Sequence, residues 1–88
     1  MVSQKVTVKN ASGLHARPAN VFVKEAIRYP GCNILFKKDG RTFVGKSLVA
    51  VLSACVKCGT EIEIIADGAD EETALRAMVA AVEAGLGE

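Results

Sequence analysis

Two hydrophobic periods alternate along this chain, one of two residues and one near 3.6, and the points of exchange divide it into seven segments. Val6 and Val8 alternate with Lys5, Thr7 and Lys9, which predicts a strand with one wet face. From Ala16 to about Tyr29 the spacing turns helical, with Ala19, Phe22, Val23 and Ala26 on one side, and Pro30-Gly31 stops it. Asn33 to Lys38 and Arg41 to Val44 flank Asp39-Gly40, a strong signal for a two-residue hairpin. Ser47 to about Ser53 reads as a short helix whose apolar residues are too dense for a purely polar exposed face. Glu61 to Ala66 is a further strand, Ile62 and Ile64 alternating with Glu61 and Glu63. Asp70 can cap a last helix that turns Leu75, Met78, Val79 and Val82 inward and ends near Gly85. The order β-α-β-β-α-β-α suits an α+β fold, an antiparallel sheet with helices stacked on one face.

Length and charge narrow the class. At 88 residues the chain is expected to form a single domain, 1–88, burying about 60% of its unfolded surface around one modest core. A net charge of +1 offers no field for nucleic acid or an anionic membrane. Met1-Val2-Ser3-Gln4-Lys5 has no secretory apolar region, and no apolar run approaches the roughly 18 residues of a membrane span, so a cytoplasmic location without membrane insertion is expected. Cys55-Val56-Lys57-Cys58 has the spacing of redox and metal motifs, and Cys32 with His15 could complete four zinc ligands on paper. A second such pair is missing, and the three cysteines read instead as small apolar residues buried in a reducing compartment, with no metal and no cofactor.

The single histidine stands where a turn ends and a helix begins, in Ser12-Gly13-Leu14-His15-Ala16-Arg17-Pro18-Ala19. There an imidazole lies beside orphaned helix amides that favour an anion, with an arginine two residues on. A neutral ring nitrogen is a nucleophile, and the same surroundings stabilise the anion formed if it takes up a phosphoryl group. Nδ1 sits at the bond separation of an Asn or Asp side-chain oxygen, so as N-cap it is expected to accept the Arg17 N–H, Pro18 having none to give. From these residues alone a plain capping role stays open, since nothing about one imidazole specifies chemistry.

Gly13-Leu14-His15-Ala16-Arg17-Pro18-Ala19, together with Gly45-Lys46-Ser47-Leu48 and the chain length, resembles HPr, the histidine-containing phosphocarrier family of the bacterial phosphoenolpyruvate-dependent sugar phosphotransferase system. The resemblance runs through Glu83-Ala84-Gly85-Leu86-Gly87-Glu88. It implies an open-faced β-sandwich, a four-stranded antiparallel sheet with three helices on one face. It further implies that His15 accepts a phosphoryl group on Nδ1 from enzyme I and passes it to the A-domain of a sugar-specific transporter, with Arg17 screening charge. Such a protein is a phosphohistidine carrier and not a turnover enzyme. The rival class is a regulatory module, either the nitrogen-related branch of the family or a carbon-catabolite co-regulator that acts by binding partners.

Ser47 precedes an apolar run and reads as an N-cap. The resemblance adds that the matching serine of many Gram-positive members is a kinase target, which implies a kinase or phosphorylase and a transcriptional regulator among the partners. Leu48, Val49 and Leu52 are expected to form a small exposed apolar patch beside it, with Asn20, Lys24 and Lys46 as a polar and basic rim suited to weak docking on acidic surfaces. A monomer satisfies all of this. Two departures from the family pattern stand out: Cys55 falls where glycine is usual near the histidine, with Cys58 at an ordinary surface position, and one extra residue lies around Tyr29-Pro30-Gly31-Cys32.

Overall fold

The computed structural model describes residues 1–87. Strands β1 (Val2–Thr7), β2 (Cys32–Lys38), β3 (Arg41–Val44) and β4 (Glu61–Gly68) form one sheet in the order β1-β4-β2-β3, every pairing antiparallel. Helices α1 (Ala16–Ala26), α2 (Leu48–Ser53) and α3 (Glu71–Glu83) complete the expected element order. The fold is the α+β class that the pattern predicts, in the open four-stranded form with three helices that the resemblance implies.

Alternation decides which face the helices cover. Val6 stands opposite Ile62, Phe36 opposite Ile64 and Ile34 opposite Ala66, and all six are buried. The helices bring Phe22, Val51, Met78 and Val82 to the same layer, each with no exposed surface. Phe22 meets Phe36 edge-on at 5.5 Å, and Phe36 stacks on its cross-strand partner Phe43 at 5.3 Å. Removing one such side chain from water stabilises by roughly 1.5–3 kcal/mol, so this layer carries the fold. The opposite face stays open, with Lys5, Glu63 and Lys37 in one row across three strands.

Turn chemistry fixes the connections. Asp39 (φ 52°) and Gly40 (φ 78°) make a two-residue turn with both residues left-handed, the geometry that keeps a hairpin's twist. After α3, Gly85 (φ 90°) donates to Val82 O and Leu86 donates to Ala81 O, a Schellman ending that returns Leu86 to the core.

β4 runs two residues past the expected Ala66, and one helix end and one cap also differ from expectation. α1 stops at Ala26, three residues before Tyr29, because its last amides tighten to i−3 carbonyls and the residue before Pro30 is disfavoured in a helix. Asp70 is the N-cap of α3 but lies in the left-handed region (φ 56°), where its carboxylate makes no cap bond. Glu71 instead ties the turn that leads into the helix, Oε1 accepting the Gly68 N–H at 3.2 Å.

Candidate functional site

A five-residue turn delivers the histidine. Asn10, which is buried, accepts the Gly13 N–H on its carbonyl and donates from Nδ2 to Gly13 O. Leu14 is buried and donates to Val56 O at 2.9 Å, which ties the turn to the segment after α2. Gly13 (φ 65°) is required by space as well as by conformation: a Cβ there would stand 2.3 Å from Val56 O and 2.8 Å from Lys57 Cα. The helical and strand periods do not reveal Asn10. Its signal is an Asx residue shortly before Ser-Gly, a turn former.

His15 is the N-cap of α1, in extended conformation, and its carbonyl accepts the Ala19 N–H at 2.7 Å. Its ring makes no cap hydrogen bond, which corrects the expectation that Nδ1 takes the Arg17 amide. Pro18 occupies the third helical position, where a cap side chain commonly finds its donor, and the ring faces a cleft instead. The cleft, of about 370 Å³, is shared with Ser12, Leu52, Cys55, Val56 and Lys57. The amides of Ala16 and Arg17 are therefore left, by helix geometry, for an acceptor other than the histidine. Arg17 is exposed, and its guanidinium pairs with no other described residue. An exposed nucleophilic ring, two orphan amides at the positive end of a helix and a free fork of donors can together hold a phosphoryl group.

Ser47 is the N-cap of α2, its Oγ accepting the Ala50 N–H at 3.2 Å. The apolar patch is present: Val49 is 78% exposed, with Leu48 and Leu52 near 40%. Ile27 at the end of α1 and Val44 at the end of β3 are exposed as well, neither singled out from the sequence because single apolar residues at element ends carry no period. Asn20 and Lys24 are exposed on α1. Lys46 departs from the expected rim, since its Nζ donates to Tyr29 O at 2.7 Å and closes the loop after α1.

Burial holds for Cys32 and fails for Cys55, while Cys58 is exposed as its place in the family pattern implies. Only Cys32 is buried, while Cys55 and Cys58 are exposed, because both lie in the loop that leaves the short α2 and not on a core-facing period. Cys58 Sγ rests 3.5 Å from Lys9 O, and Cys55 (φ 54°) lines the histidine cleft. Among the described residues no three His, Cys, Asp or Glu side chains come together as a cation set.

Both shifted titrations lie far from the cleft. The Met1 ammonium donates to both Glu71 oxygens at 3.1 and 2.9 Å, which raises its pKa above the ordinary 8.0. The same bonds, with the Gly68 amide, lower the Glu71 carboxyl below 4.5.

Residues 2–84 match the family described as PTS HPr component phosphorylation site. The HPr-like protein Crh of Bacillus subtilis is 43% identical over 83 residues, 94% of this chain and 96% of that one. An HPr-C-His structure from Thermoanaerobacter tengcongensis superposes with a TM-score of 0.95 at 36% identity, covering 100% of this chain and 98% of that one. An HPr dimer from the same organism, also 36% identical and fully covered on both sides, gives a TM-score of 0.78. No helix among the described residues is long and apolar enough to cross a membrane.

Proposed function

The chain belongs to the HPr family, and from that premise we propose that it is a stoichiometric phosphoryl carrier. His15 Nδ1 attacks the phosphorus held on enzyme I. The bond from phosphorus to its donor atom on enzyme I breaks as the new P–N bond forms, and the phosphoryl group passes onward to the A-domain of a sugar-specific transporter. Arg17 offers its fork to the phosphoryl oxygens in transit, and the Ala16 and Arg17 amides donate hydrogen bonds to the oxygens at rest. The observation that carries this reading is the exposed His15 ring at a helix start, free of any capping bond. Leu48, Val49 and Leu52, with Asn20 and Lys24 beside them, supply a small apolar surface with a polar rim for short-lived docking.

The test is incubation with enzyme I and labelled phosphoenolpyruvate. A carrier gains acid-labile, alkali-stable label that His15→Ala abolishes. Wild-type protein that stays unlabelled overturns the reading, and labelling only by a nitrogen-type enzyme I moves the chain to that branch.

The 43% identity to Crh favours a second output beside the first, regulation through Ser47. Phosphate on this N-cap is compatible with the helix, and its added charge of about −2 falls beside the docking patch. Incubation with an HPr-type kinase and ATP, followed by mass spectrometry, should place phosphate on Ser47, and its absence there removes this output. The working unit is taken as one chain forming one domain in the cytoplasm. Sedimentation at micromolar concentration tests that against a dimer like the Thermoanaerobacter one.

A further inference from the structure

The wall of the cleft facing His15 is the segment that leaves α2, and a lysine from the end of β2 holds it. Lys38 follows Ile34 and Phe36 by twos, so it continues the helix-covered face to the point where the helices run out. Its Nζ donates to Ala54 O at 2.8 Å and to Cys55 O at 3.1 Å. These carbonyls lie at and just beyond the C-terminal end of α2, where a helix leaves acceptors unpaired and a cation also meets the negative end of the dipole.

The segment has a conformational need for such a hold. Cys55 sits at φ 54°, in the left-handed region that L side chains rarely adopt, and it lines the same cleft as His15. The following residue, Val56, accepts the Leu14 N–H directly before the histidine. The wall's position against the ring is therefore set by three residues of backbone, tied at one end to Lys38 and at the other to Leu14.

We propose that Lys38 is a positioning residue for phosphoryl transfer, its ammonium pinning the Ala54–Cys55 backbone in the left-handed turn that shapes the wall of the His15 cleft. It touches neither the phosphoryl group nor the ring. The proposal rests on His15 being the phosphoryl acceptor, and glycine at position 55 would adopt the same turn unaided.

Two readouts separate the possibilities. With Cys58→Ser removing the other exposed thiol, Cys55 should react with a maleimide about fivefold faster in Lys38→Met than in the parent, and Lys38→Arg should restore the parent rate. In transfer from phosphorylated enzyme I, Lys38→Met should raise the KM for this protein about fivefold with kcat unchanged. Adding Cys55→Gly should return KM to the parent value. A merely structural lysine would lower thermal stability, leave KM alone and gain nothing from glycine. Unchanged KM and thiol rate in Lys38→Met, or a folded double variant whose KM stays high, overturns the proposal. Should Lys38→Met fail to fold, Lys38→Gln carries the same expectations at reduced size. Should no variant, the parent included, accept phosphate, the His15 reading fails while the thiol rates still decide the clamp.

Discussion

Helices α1 and α2 begin alike and differ in what their first side chain does. Both start from an extended residue whose carbonyl takes a first-turn amide, His15 from Ala19 and Ser47 from Val51. Ser47 also commits its hydroxyl to the Ala50 amide, whereas the His15 ring is committed to nothing in its helix. A cap side chain that serves the fold is held in place and chemically occupied. One that does not serve it is available for reaction, and Pro18, which has no N–H to offer at the third position, keeps it so.

The largest expected effect is also the sharpest test of that contrast. His15→Ala should eliminate phosphate uptake from enzyme I while changing unfolding free energy by no more than about 0.5 kcal/mol, measured in urea. A loss of 1–2 kcal/mol, as a working cap shows, would mean that the ring does support α1 in solution. Next comes Arg17→Lys, which should keep the fold and slow transfer about tenfold, because an ammonium cannot reproduce a planar fork of donors. Equal rates by rapid quench would show that bidentate contact is unimportant.

Ser47→Ala reverses the pattern of His15→Ala. It should cost about 1 kcal/mol, which lowers the Tm of a domain this size by about 4–8 °C, while His15 labelling proceeds at an unchanged rate. A Tm within a degree of the parent would erase the distinction between the two caps. Smallest is the pH dependence carried by the Met1–Glu71 pair. The ammonium's pKa is raised, so its contribution is whole below about pH 8.0 and disappears as pH climbs through the raised value. The Glu71 carboxyl is lowered, so its share is whole above about pH 4.5 and disappears as pH falls through the lowered value. Glu71→Gln should flatten both limbs in thermal melts, and identical profiles would assign the limbs to other groups.

Elements with a sustained period were legible from sequence, and single contacts between distant segments were not. Val6, Ile62 and Ile64 announced two strands by alternation, and Asp39-Gly40 announced the hairpin of the other two by the conformations that such a turn accepts. His15 and Ser47 were legible as helix starts for the same local reason. Hidden from a linear reading were Lys38 reaching Ala54, Lys46 reaching Tyr29 and Leu14 reaching Val56, since each joins segments at least sixteen residues apart and needs the fold before it exists. The cap geometries of His15 and Asp70 were misjudged because a residue type suited to capping leaves open which way its side chain turns. Cys55 was misplaced by assigning a loop the burial habits of a core.

The sheet order has a consequence during synthesis. β1 is made before β4, its only strand neighbour among the described residues, and α3, which also packs on it, comes later still. At usual bacterial elongation speeds the nascent Val2–Thr7 stretch waits roughly 3 to 11 seconds for Glu61–Gly68 to begin to emerge. For that interval Val2 and Val6 have no sheet partner, and the last third of these 88 residues, from Glu61 on, must be made before β1 can pair within its own chain.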